Sequence, residues 1–93
     1  MIAKQVYYSG RVQGVGFRFT VHEIAKRYAV VGWVQNLPDG RVHLVVKGNS
    51  NEVDLFLTQV REESRLTDFI KDNEESEVPT TLLANTNDFS IRR

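Results

Sequence analysis

Residues 10–18 read GRVQGVGFR, and this stretch predicts the end of a strand, a glycine-rich turn and the start of a helix. Glycine allows backbone N–H groups to turn towards one point and allows an oxyanion to come close to the main chain. A helix N-terminus adds positive potential at the same place. Arg18 then presents a planar, permanently charged fork. The stretch therefore predicts a pocket for a small tetrahedral oxyanion, with phosphate as the first candidate.

Two other phosphate-binding motifs do not fit this stretch. The dinucleotide-binding pattern needs a third glycine three residues after its second, where Phe19 stands. The P-loop needs Gly-Lys-Ser or Gly-Lys-Thr, and the chain contains neither tripeptide. Two glycines by themselves often make only a sharp turn, so other parts of the sequence are needed to distinguish a structural turn from an anion-binding site.

The first half of the chain alternates between strand and helix patterns. Residues 4–12 alternate as a half-buried strand does, and helical spacing of apolar residues begins at Phe17. Residues 30–36 and 41–47 are rich in β-formers and are joined by Leu37-Pro38-Asp39-Gly40, in which Gly40 is a turn residue. Proline followed by Asp-Gly favours a hairpin between these two runs.

The second half of the chain gives weaker signals. Asn49 with Glu52 matches a capping box, which predicts a second helix that ends near Glu63. The remaining segments are predicted to be a strand at 66–71, an acidic solvated turn at 72–77, a loop at 79–88 and a short last strand at 89–92.

The order of these elements predicts an α+β fold, a ferredoxin-like βαββαβ sandwich. In this fold two helices cover one face of an antiparallel sheet, and here a short C-terminal strand is added. A length of 93 residues predicts a single domain over residues 1–93.

Composition limits the classes of function. Residues 1–48 carry seven cations against two acids and residues 49–93 carry five against ten, so the half with the glycine-rich turn is electropositive and suits an anionic substrate. The lack of cysteine excludes a disulfide framework and a thiol nucleophile, and no His or carboxylate pair has metal spacing, so we expect no metal and no cofactor. No apolar run resembles a signal peptide or membrane span, and we expect a soluble, cytoplasmic monomer without a membrane partner.

Residues 10–18 resemble the first signature of the acylphosphatase family, in which Gly-x-Val-Gln-Gly-Val-x-Phe-Arg forms the phosphate loop. The run Gly32-Trp33-Val34-Gln35-Asn36, followed by Gly40-Arg41-Val42 and Gly48, resembles the second signature, and Phe89-Ser90-Ile91-Arg92 resembles the usual ending. The resemblance is tight over residues 4–48 and looser beyond. The Gly-Pro often found after the second helix is replaced by Glu62-Glu63-Ser64-Arg65.

The resemblance implies metal-independent hydrolysis of small acyl phosphates to a carboxylate and inorganic phosphate. It implies that Arg18 binds the phosphate and that Asn36 positions the attacking water. It also implies a backbone phosphate cradle, which consists of Gln13, Gly14, Val15, Gly16, Phe17 and Arg18. These roles fit the chemistry, since an amide can hold a water by donating and accepting. The carboxylate is a good leaving group, so positioning and charge stabilisation supply most of the rate.

Side chains outside the two signatures are predicted to have structural roles. His22 and His43 are predicted to be surface residues, His43 on a strand near the edge of the sheet, although His22 lies one turn after Arg18. The aromatic residues are predicted to belong to the sheet and core: Tyr7, Tyr8, Phe17, Phe19 and Trp33.

Two alternative functions remain open at this point. RNA-recognition domains share the topology and carry a glycine-aromatic strand motif, but here the glycine-aromatic run lies at a strand-to-helix turn. The net charge is zero, so the chain lacks the excess of basic residues that is typical of a nucleic-acid-binding protein, and no nucleic-acid partner is expected. The other alternative is a domain that binds a small anion without turning it over.

Overall fold

The computed structural model describes residues 1–93 as one five-stranded sheet with helices on one face. The strands are β1 (Ile2–Gly10), β2 (Val30–Asn36), β3 (Val42–Gly48), β4 (Ile70–Val78) and β5 (Phe89–Arg92). The helices are α1 (Phe17–Ala25), α2 (Ser50–Glu62) and the single turn α3 (Ser64–Thr67), and a 3₁₀ turn spans Thr80–Leu83.

The strand order is β4-β1-β3-β2-β5. Neighbouring strands are antiparallel except that β5 runs parallel to β2. The predicted ferredoxin-like α+β sandwich is confirmed, with the addition that the C-terminal strand makes the sheet mixed. None of the helices has the length and hydropathy needed to cross a membrane.

The main core lies between the sheet and the two long helices, because each helix carries one apolar stripe. The buried residues of these stripes and of the strands beneath them include Phe17, Val21, Ile24, Val53, Phe56, Val60, Val6, Tyr8, Val34 and Leu44. Full burial of one such side chain contributes about 1.5–3 kcal/mol. This packing holds the N-terminus of α1, with the glycine-rich turn before it, at the carboxyl end of β1.

A smaller cluster covers part of the opposite face of the sheet. Leu83 of the 3₁₀ turn packs with Ala3, Trp33 and Val45. The guanidinium carbon of Arg92 lies 3.8 Å from the centroid of the Trp33 ring. The C-terminal strand is therefore anchored on both faces of the sheet, since Phe89 packs against the main core.

The prediction for residues 66–77 is wrong. Residues 64–67 form a helical turn in which Leu66 is buried, and Glu63 Oε1 accepts a hydrogen bond from Arg65 Nε at 3.1 Å. The acidic segment is β4, which pairs with β1 as an outer strand of the sheet. Its side chains are mostly exposed, so it lacks the apolar alternation by which a strand is recognised.

The predicted start of α2 is correct in place and wrong in mechanism. Asn49 is the N-cap residue but makes no side-chain cap bond. Glu52 Oε1 instead accepts a 2.7 Å hydrogen bond from the backbone N–H of Ala29. The carboxylate therefore ties α2 to the chain that enters β2 and does not close a capping box.

Candidate active site

A cavity of about 200 Å³ opens beside the turn between β1 and α1. Its lining residues are Val12, Gly14, Gly16, Phe17, Arg18, Phe19, Asn36 and Ile91. The fold thus brings together five of the seven residues that the sequence singled out: Gly14, Gly16, Phe17, Arg18 and Asn36. Gln13 and Val15 do not line the cavity, and Val12, Phe19 and Ile91 line it without having been predicted.

The turn owes its shape to two glycines in the left-handed region. Gly14 has φ +79° and Gly16 has φ +78°, a conformation that costs other residues about 1–2 kcal/mol. Gly16 is the N-cap of α1, and the first turn of α1 has neither a side-chain cap nor an acidic residue. The first helical hydrogen bond runs from Thr20 N to Gly16 O at 3.0 Å. The N–H groups of the preceding turn are therefore available to an anion.

Gln13 holds the turn against the β2–β3 hairpin. Its Nε2 donates to the backbone oxygens of Leu37 at 2.8 Å and of Arg41 at 2.9 Å. These two bonds fix the glycine-rich turn relative to Asn36, which immediately precedes Leu37. Val15 packs its side chain against the main core. The predicted contribution of both residues is a backbone N–H to phosphate, and it stays a prediction.

The side chain of Arg18 lines the cavity and is held in place by a hydrogen bond to the carboxyl end of β5. It lies in the first turn of α1, and its Nη1 donates a 3.0 Å hydrogen bond to the backbone oxygen of Arg92. A guanidinium has five N–H donors in a fixed plane. After this bond to Arg92, Arg18 retains donors for bidentate contact with phosphate oxygens.

Asn36 places an unsatisfied acceptor at the same cavity. It is the last residue of β2 and pairs with Val42 of β3, so its backbone is fixed by the sheet. Its Oδ1 is buried and has no hydrogen-bond partner in the protein. Leaving such an oxygen unpaired costs about 1–3 kcal/mol, so it favours a donor molecule in the cavity, of which water is the smallest.

Two apolar residues complete the lining. Phe19, predicted to be a core aromatic, is 60% exposed. It follows Phe17 by two residues, or about 200° around the helix, so it points away from the core that Phe17 enters. This angle is readable from the sequence. Ile91 is brought to the site because β5 pairs with β2 in parallel, opposite Val34, a pairing that no local pattern indicates.

The histidines lie outside the cavity lining. His22 Nδ1 is 3.9 Å from Glu23 Oε2. The predicted edge position of His43 is wrong, because β3 lies inside the sheet. The ring of His43 stacks on Tyr7 with centroids 4.4 Å apart, and its Nε2 is 3.0 Å from Gln5 Oε1. Partial burial, followed by the charge of Arg41, holds the pKa of His43 below its usual range.

Fold and cavity together define a ferredoxin-like sandwich with a cavity at its first strand-to-helix turn. The family model described as Acylphosphatase matches residues 4–91. An acylphosphatase of Archaeoglobus fulgidus is 46% identical over 61 residues, which is 66% of this chain and 68% of that protein. An acylphosphatase of Rubrobacter xylanophilus is 58% identical over 50 residues, 54% of this chain and 46% of that protein.

A solved structure agrees over the whole length. The crystal structure of acylphosphatase from Bacillus subtilis superposes with a TM-score of 0.84 at 32% identity, covering 100% of both chains. The chain belongs to the acylphosphatase family, and its reaction is that of the family, the hydrolysis of acyl phosphates. These findings do not favour the RNA-binding or anion-binding alternatives.

Proposed function

We propose that Arg18 and Asn36 are the side chains with which this chain hydrolyses small acyl phosphates, and that no metal takes part. The single observation that carries the proposal is the buried, unpaired Oδ1 of Asn36 in the cavity that Arg18 also lines. The Asn36 oxygen suits a water and the Arg18 guanidinium suits a phosphate, and both residues line the same small cavity.

The phosphate end of the substrate binds at the glycine-rich turn. The backbone N–H groups of residues 13–18 and the fork of Arg18 donate to its oxygens. In the transition state these donors stabilise the charge that spreads over the phosphoryl oxygens, in a site partly removed from water. Because the guanidinium is already fixed by the Arg92 oxygen, little reorganisation is needed.

The water donates one hydrogen bond to Asn36 Oδ1, which leaves a lone pair for attack on phosphorus. A new P–O bond forms, and the bond between phosphorus and the bridging acyl oxygen breaks. The acyl oxygen leaves as a carboxylate, and the proton of the water passes to a phosphate oxygen, so that inorganic phosphate is the second product. A good leaving group makes a strong protein base unnecessary.

The test is phosphate release from benzoyl phosphate by the purified protein, with and without a chelator. We expect turnover, with a rate that the chelator does not change. Loss of activity with chelator and its return with an added divalent ion would refute the metal-independent mechanism. Phosphate binding without any turnover would leave the anion-binding alternative as the better account.

We also propose that the protein acts as a monomer in the cytoplasm, with no nucleic-acid or membrane partner. Zero net charge supports the absence of a nucleic-acid partner, since a basic footprint is lacking. Light scattering on the purified protein tests the monomer, and cell fractionation tests the location.

A further inference from the structure

Two exposed apolar side chains stand at the cavity. The fold leaves five large apolar residues exposed, namely Met1, Phe19, Leu55, Leu82 and Ile91. Of these, Phe19 is 60% exposed, Ile91 is 40% exposed, and both line the cavity. Exposure of two such side chains beside one small opening gives the cavity an apolar rim, defined here as Phe19 and Ile91.

The apolar rim borders the phosphate-binding group from two separate chain segments. Phe19 directly follows Arg18 in the first turn of α1. Ile91 directly precedes Arg92, whose backbone oxygen accepts the hydrogen bond from Arg18. Neither rim residue belongs to the buried residues of the main core. Their place beside Arg18 is therefore not required for packing of the sandwich.

Different parts of the cavity lining suit the two ends of the substrate. Arg18 is the one charged side chain of the lining, and together with the backbone N–H groups of the glycine-rich turn it suits the phosphate. No acidic side chain and no second cation lines the cavity. An acyl group joined to a phosphate at Arg18 can therefore contact apolar carbon at the apolar rim.

We propose that Phe19 and Ile91 bind the acyl group, so that this chain prefers acyl phosphates with an aromatic or bulky apolar acyl group over acetyl phosphate. The inference rests on the proposed function and names the substrate class of the same site. Aromatic rings gain an edge or offset contact with Phe19 in addition to burial of apolar surface. Acetyl phosphate offers one methyl group and gains little from either residue.

The experiment compares kcat/KM for benzoyl phosphate and acetyl phosphate in the wild type, Phe19→Ala, Ile91→Ala and Leu82→Ala. We expect the benzoyl-to-acetyl ratio to fall about threefold to tenfold in each rim variant, the range that one aromatic or apolar contact gives on an open surface. Leu82 is 54% exposed and lies outside the cavity, so Leu82→Ala should leave the ratio unchanged. Phe19→Leu should lose less than Phe19→Ala, because it keeps apolar surface.

A binding measurement separates failure of this inference from failure of the proposed function. Benzoylphosphonate and acetylphosphonate carry the same two ends but do not release phosphate, and calorimetry gives their dissociation constants. Tighter binding of benzoylphosphonate, reduced in Phe19→Ala, supports the apolar rim even if the wild type turns over neither phosphate. Equal binding of the two phosphonates, or an unchanged ratio in folded rim variants, overturns it.

Discussion

Arg18 is expected to matter both for binding and for turnover, because its fork meets the phosphate in the ground state and in the transition state. Arg18→Ala should abolish measurable phosphate binding and lower kcat/KM by about a thousandfold. Arg18→Lys keeps the charge, but it should remain strongly impaired because it loses the bidentate geometry. Steady-state kinetics and phosphate titration check both variants. Arg27→Ala removes an exposed cation beyond the end of α1 and is the matched control. Equal activity of the Lys variant would contradict the bidentate role.

Asn36 is expected to act in turnover alone. Asn36→Ala removes the acceptor that orients the water and leaves the glycine-rich turn and Arg18 in place, so kcat should fall by about a hundredfold or more with phosphate affinity retained. Measured side by side, kcat and the phosphate dissociation constant separate these effects. Asn49→Ala, at an exposed asparagine outside the cavity, is the control. Near-normal turnover in a folded Asn36→Ala protein would remove Asn36 from the mechanism.

His43 gives stability a dependence on pH near neutrality. Partial burial and the nearby charge of Arg41 lower its pKa in the folded protein, whereas the unfolded chain keeps a pKa of about 6.5. Below that pH the unfolded state binds a proton that the folded state resists. The free energy of unfolding therefore falls on acidification below about pH 6.5 and is regained as the pH rises to that value.

Melting temperatures between pH 7 and pH 5.5 test this dependence, since most carboxylates titrate lower. We expect the wild type to lose thermal stability over this range and His43→Gln to lose less. His22→Gln is the matched control, because His22 lies on α1 outside the Tyr7–His43 stack. Identical pH slopes for wild type and His43→Gln would contradict the assignment.

At the scale of elements, the β1–α1 turn needs glycine at position 16 for its backbone conformation, and not because a side chain there would clash. A Cβ at Gly16 would meet no atom within 4 Å, yet φ there is +78°. Gly16→Ala should therefore lower the free energy of unfolding by about 1–2 kcal/mol. Gly16→Asn should cost less, because asparagine tolerates the left-handed region better. Urea denaturation of the two variants checks the order, and an equal cost would point to a steric cause.

Elements that bury an apolar face are predicted well from the sequence, and elements at the boundary of the sheet are not. The predicted bounds of β2 and α2 agree with the structure because Val34 and Phe56 follow the periods of a strand and a helix. The predicted fourth strand at 66–71 is displaced from β4 (Ile70–Val78), because the polar side chains of β4 face solvent along most of its length. Local patterns also give no information on pairing between distant strands, which is why Ile91 was not predicted at the site.

For the whole molecule, anion binding should appear as added stability. Phosphate that binds only the folded protein raises the free energy of unfolding by about 2.7 kcal/mol at a hundred times its dissociation constant. Thermal melts in rising phosphate, with chloride at matched ionic strength as the control, measure this gain. Arg18→Ala should melt at a temperature that phosphate does not change. Equal shifts in phosphate and chloride would argue against a phosphate site.

The exposed edge strand β4 also bears on association between copies of the protein. As the last strand on its side of the sheet, it offers unpaired backbone groups along its free side, which invite another chain to extend the sheet. Its carboxylates outside the Lys4–Glu75 ion pair, namely Asp72, Glu74 and Glu77, repel an approaching copy while they are ionised. Acid removes that repulsion without removing the strand. We therefore expect association through β4 to increase on acidification, and light scattering at falling pH, with circular dichroism to follow the fold, measures this.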